Sequence, residues 1–285
     1  MEDRYIEATV GGGLSSNIDQ LAAFVFLAEV HPEWLNPNIK ATTVFDSFPQ
    51  LPWNGGRCIE NKSIPFSEMQ KRVNFFNERG IGVNFTFTNS LLKEAHLEDK
   101  PGNQILRAFE NRLNGVVIYS PLLAHYVRKT NPLYKIILSQ SKLLWDKTQL
   151  LATFGDYDLV VVSPEFNRDI AFLKQLPAEK TSLIANNSCA PFCPLSRQHF
   201  DAISMLNFGE QVNNPASALC QSLKQKGTLR LRPSEVFNIF SQTGIKNFKF
   251  ATRNYDPQST INTLGEYFVL SAHKDDFLQF MAACC

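Results

Sequence analysis

The sharpest chemical signal in the sequence is Asn186-Asn187-Ser188-Cys189-Ala190-Pro191-Phe192-Cys193-Pro194, with Arg197 and His199 just beyond. Two thiols separated by three residues in a proline-rich loop can ligate one metal ion or one iron-sulfur cluster, and His199 could join them. A cluster takes four ligands, and the other thiols are scattered. Cys58 follows Pro52-Trp53-Asn54-Gly55-Gly56-Arg57, whose two glycines permit close ligand approach or only a tight turn, with Trp53 a lid over apolar surface. The plainer reading of Cys189 and Cys193 is a pair of buried thiols, because cysteine is among the residues most often buried.

Cations offer a second chemistry. Lys249, Ala251 and Arg253 share one face of an extended run by the period of two, as do Arg230 and Arg232. Together with Lys142 they suit a ligand bearing carboxylate or phosphate, although ion pairs with Glu165, Asp46 or Glu235 explain them equally well. Lys142 and Lys249 are also candidate amine nucleophiles for a metal-free lyase or aldolase. The catalytic candidates are therefore Lys142, Glu165, Arg232, Lys249 and Arg253. Thr88, Asn89, Asn186, Asn187 and His199 are the candidate substrate contacts.

Such scattered residues act together only if the fold gathers them. Eight short β-rich runs end in small or polar residues: Thr42 to Phe48, Gly82 to Thr88, Val116 to Ser120, Lys135 to Gln140, Leu159 to Ser163, Ser182 to Asn186, Thr228 to Arg232 and Asn247 to Thr252. Stretches with helical spacing lie between them, among them Phe66 to Arg79, Pro121 to Thr130 and Pro233 to Thr243. Alternation of this kind implies parallel strands, because a parallel neighbour needs a crossover of a dozen or more residues. Eight units predict an α/β fold of the (β/α)8 TIM-barrel type, regular or irregular, with an open doubly wound sheet as the alternative. The expected organisation is one barrel domain with its core over about residues 40–255 and helical extensions at both ends. Gly80 and Gly244 stand where helices must stop, and Pro233-Ser234-Glu235 reads as a helix start. In such a barrel the polar strand ends line the mouth where ligands bind.

Composition excludes several classes. With 44% apolar and 19% charged residues, the 285-residue chain is an ordinary globular protein. A net charge of +1 gives no general attraction for nucleic acid or anionic lipid, so any electrostatic function is local. Six cysteines are too sparse for a disulfide scaffold, and no secretory signal opens the chain, so a cytoplasmic location is expected. Leu21 to Val30 is too short to span a membrane and reads as a buried amphipathic helix. Gly11-Gly12-Gly13 lacks the spacing and lysine of a phosphate loop, and no nucleophile elbow occurs.

On the loop Cys189 to His199, and on the run Thr243 to Arg253, the chain resembles the collagenase-like peptidase superfamily, peptidase family U thirty-two, as a divergent member. The resemblance implies a barrel, and it extends to oxygen-independent hydroxylation proteins that hold an iron-sulfur cluster on four cysteines and act on RNA bases or a quinone precursor. Carried over by position, Cys189 and Cys193 would be cluster ligands and Cys58 a third, while a fourth is not evident. Ala251 and Thr252 stand where a Glu-Gly pair is expected before Arg253. The sequence thus points to a barrel enzyme acting on an anionic metabolite or polymer, using an iron-sulfur cluster or a single metal. Its alternatives are a noncatalytic binding protein or partner subunit that keeps the barrel, and the metal-free lyase or aldolase.

Overall fold

The computed structural model describes residues 5–15, 17–56, 63–212, 228–252 and 256–285. Its strands are β1 (Ile6–Gly11), β2 (Ile39–Asp46), β3 (Gly82–Phe87), β4 (Gly115–Ile118), β5 (Lys135–Leu138), β6 (Leu159–Val161), β7 (Thr181–Ile184) and β8 (Asn247–Phe250). All neighbours pair in parallel, in sequence order, and β8 returns to β1 to close a barrel. Helices α1 (Ile18–Val30), α2 (Phe66–Asn77), α3 (Lys100–Ala108), α4 (Pro121–Thr130), α5 (Lys147–Ala152), α6 (Ile170–Leu173), α7 (Ser196–Asn207) and α8 (Pro233–Thr243) lie on the crossovers. Two more, α9 (Pro257–Tyr267) and α10 (Lys274–Cys284), follow β8. This is the expected (β/α)8 barrel. Among the described residues no helix is long and apolar enough to cross a membrane.

Two expectations about the strands are corrected. The first strand is not Thr42 to Phe48 but Ile6–Gly11, so the barrel begins far upstream of residue 40. Thr228 to Arg232 is not a strand: its Leu231 and Leu229 amides donate to the Ala185 and Cys189 carbonyls, and no ladder forms. The reason is closure. β7 already pairs with β6 on one side and β8 on the other, so it has no open edge for a further strand.

Alternation along the strands separates two cores. Side chains such as Ile6, Val83, Phe85, Ile136, Val160 and Phe248 point outward and pack under the helices. Inside the barrel, Val117, Ile137, Val161 and Ile184 form a separate cluster on the β4–β7 side. The opposite side of the interior is polar. Strand register places Lys249 beside Ile184 and Thr9, and Thr9 beside Thr43, whose hydroxyls hydrogen-bond. The helix stops fall as the sequence predicts: Gly80 and Gly244 both take a left-handed φ, 71° and 73°, that a Cβ would strain. Pro233 opens α8, with Glu235 bonding back to the Arg232 amide.

Candidate functional site

Beyond the end of β4, the period of two that puts Val117 inside the barrel carries on to Tyr119 at the mouth. After β5 a single helical turn, Gln140–Lys142, is capped by the Ser139 hydroxyl accepting from the Ser141 amide. Leu143 closes that turn in the left-handed region, with φ 55°. This brings the Lys142 ammonium over the Tyr119 ring, 4.5 Å from its centroid. From the first turn of α7, Arg197 reaches the same place. Its guanidinium donates to the Tyr119 hydroxyl and, at 3.1 Å, to the Lys142 carbonyl. Three strand units thus converge on one aromatic ring.

Lys142 and Arg197 both lie against the Tyr119 ring, and neither has a carboxylate partner among the described residues. Burial and then the neighbouring Arg197 charge push the Lys142 amine below the ordinary lysine range. An unopposed pair of cations, one half-buried, favours the arrival of an anion.

On the next strand end, the Glu165 carboxylate is held by the Ser163 hydroxyl at 2.9 Å and by the Phe192 amide at 3.1 Å. It does not pair with Lys142. Phe192 belongs to the cysteine loop, where a φ of 46° turns its largely exposed ring edge-on to Trp145, 5.8 Å away. The Trp145 indole N–H is buried there and has no acceptor among the described residues. Two contact groups, Lys142 with Tyr119 and Arg197 and Trp145 with Phe192 and Glu165, thus lie on the β4–β7 arc of the mouth.

Other expected ligand contacts are engaged in structure. The Asn89 amide donates to the Pro52 and Ser204 carbonyls and its oxygen accepts from Leu91, so it ties two loops together rather than facing a substrate. Asn186 grips both the amide and the carbonyl of Ala251, fixing the exit of β8. Asn187 accepts the Cys189 amide in a local turn. Thr88 is buried beneath the Ser47–Gly56 loop, where Gly55 passes so close that a Cβ would collide with the Thr88 carbonyl and lie 2.7 Å from the Asn89 nitrogen. Close packing of backbone, rather than a ligand, accounts for that glycine. Gly55→Ala is expected to lower stability by about 1–3 kcal/mol, read as a shifted denaturant midpoint; an unmoved midpoint would contradict the packing.

Lys249 is buried inside the barrel, its ammonium 3.7 Å from the centre of the Phe45 ring. Arg232 sits outside, 81% exposed, in a network with Glu235 and Arg168, and Arg230 pairs with Glu266. Their alternation reflects an extended segment lying on the core, not a catalytic strand. Hydrogen bonding by Arg168 and by the Arg232 amide lowers the Glu235 pKa to about 2. A depressed carboxylate stabilises the fold above its ordinary pKa of 4.5, and this is lost as pH falls toward 2. Glu235→Gln is thus expected to cost about 1 kcal/mol at neutral pH, with the difference from wild type vanishing near pH 2 in acid-unfolding curves.

Cys58 and Arg253 lie outside the described residues. Cys189 is exposed, Cys193 half-buried, and half-buried His199 sits in the first turn of α7 with its ring edge-on to Phe200. Among the described residues no three His, Cys, Asp or Glu side chains converge as a metal group would need. Of the three expected cluster ligands, Cys189 and Cys193 fall among the described residues and Cys58 does not. Tyr119 and Arg197 are the residues that the sequence reading left out of the site. Continuing the period of two past Val117 would have flagged the tyrosine.

No family model matches the chain, and no curated protein matches it. Among solved structures it is similar to the U32 peptidase Mk0906, with a TM-score of 0.55 at 14% identity, covering 89% of this chain and 95% of that one. A weaker likeness, TM-score 0.39 at 11% identity, is to a GH113 β-1,4-mannanase, over 99% of this chain and 100% of the other. The first of these shows a shared barrel fold.

Proposed function

We propose that the chain is a barrel enzyme that binds the anionic group of its substrate at the mouth, between Lys142 and Arg197 on the Tyr119 ring. The single observation that carries this reading is the pair of cations that share one ring with no carboxylate among the described residues to oppose them. A guanidinium presents planar paired donors to a carboxylate or phosphate, and a half-buried ammonium adds charge where water screens it less. Glu165, fixed by Ser163 and Phe192, supplies an acid or base on the neighbouring strand end. The exposed Phe192 ring and Trp145 offer an apolar wall with one unused donor for the rest of the substrate.

Titration calorimetry with inorganic phosphate tests the reading. Wild-type protein is expected to bind one phosphate, and Arg197→Gln to bind roughly ten- to a hundredfold more weakly, as loss of a charged hydrogen bond worth about 1.5–3 kcal/mol requires. Equal affinity in the two proteins would overturn it.

A further inference from the structure

Lys142 has a feature that anion binding alone does not require. Among the described residues its ammonium has no hydrogen-bond acceptor and no ion pair, and it rests on the face of Tyr119. Tyr119 in turn accepts from Arg197, while no described residue takes its hydroxyl proton. An amine and a phenolic donor, both unused, stand beside a guanidinium that retains N–H groups for a carboxylate.

We propose that Lys142 is an imine-forming nucleophile for a small 2-oxo acid, whose carboxylate Arg197 holds and whose carbonyl oxygen faces the Tyr119 hydroxyl. This rests on the anion-binding reading and extends it to a substrate class. The lone pair of Nζ attacks the carbonyl carbon, and the C=O π electrons move to oxygen, which takes the Tyr119 proton. A nitrogen proton returns to the phenolate. The carbinolamine hydroxyl then takes the Tyr119 proton again and leaves as water while the nitrogen lone pair forms the protonated C=N, and solvent reprotonates the phenolate. No oxidant or reductant is consumed. The protonated imine is an electron sink for breaking or making a bond at the adjacent carbon. Burial and the Arg197 charge favour the neutral amine that this attack needs, and no carboxylate from β4, β5 or α7 opposes them.

The test uses the full-length protein with pyruvate or glyoxylate as probe and borohydride to reduce any imine, followed by peptide mass spectrometry. Lys142 is expected to carry the adduct on the order of ten times faster than surface lysines, because Arg197 holds the carbonyl beside it. Added phosphate should compete, and Arg197→Gln should remove the preference. Lys142→Arg, which keeps the charge, should give no adduct at this site. If wild-type protein binds phosphate yet its adducts scatter over the lysines, the imine is overturned and the anion site stands. If it neither binds phosphate nor labels at Lys142, both fall.

Discussion

Lys142→Met is expected to raise the phosphate dissociation constant roughly ten- to a hundredfold while leaving the protein at least as stable as wild type. The two effects have one origin. In the folded chain the Lys142 ammonium is half-buried and faces Arg197, so its pKa lies below that of the unfolded chain. Between the lowered folded value and the unfolded value the unfolded state binds more protons, so stability rises with pH across that window. Below the window the charged amine is a burden on the fold, and a methionine of similar length removes it. Binding has the opposite sign: wild-type affinity should fall as pH climbs through the lowered Lys142 pKa, below the ordinary lysine range, and the variant should lack this limb. Calorimetric titrations across the alkaline range, paired with denaturation midpoints, read both. A variant that binds phosphate as wild type does would remove Lys142 from the site.

Trp53→Ala is expected to be the most damaging single truncation of the mouth loops. The ring is fully buried, edge-on to Phe87 at 5.3 Å, and its indole donates to the His96 carbonyl at 2.7 Å. It also rests against Gly102 in the first turn of α3, where a Cβ would come within 2.7 Å of the ring. Truncation leaves a cavity between β3, α3 and the Ser47–Gly56 loop, for a cost of about 3–5 kcal/mol. For a chain of this size that is a fall in melting temperature on the order of 10 °C, measurable by scanning calorimetry. Trp53 has no contact with the Lys142 trio, so phosphate affinity at a temperature where the variant is folded should not change. A small shift in melting would return Trp53 to the role of a surface lid.

Seven of the eight strands were legible because their patterns are local: short β-rich runs ending in polar residues, separated by helical spacing. The first strand was hidden. Ile6–Gly11 carries Glu7 on the inner face, paired across the bottom of the barrel with Lys246, and read alone it is an acidic leader. Thr228 to Arg232 erred in the other direction. Leu229 and Leu231 are buried and Arg230 and Arg232 are not, which is the period of a strand, yet any extended segment lying on a core alternates in this way. Hydrogen-bonding partners decide between the two, and partners are set by the closed ring.

The sequence by itself determined the repeating unit, its parallel sense and the end of the barrel at which polar groups collect, since these follow from periodicity and the length of each crossover. It also marked Lys142 and Glu165. Only the tertiary structure decided that Arg197 joins Lys142 on Tyr119, that Asn89 and Asn186 serve as loop ties, and that Lys249 is sealed inside while Arg232 stands outside. The physical reason is that charge and hydrogen-bonding capacity acquire a role from what lies within a few ångströms, and closing the barrel brings together residues from β4 to α7 that no local pattern connects.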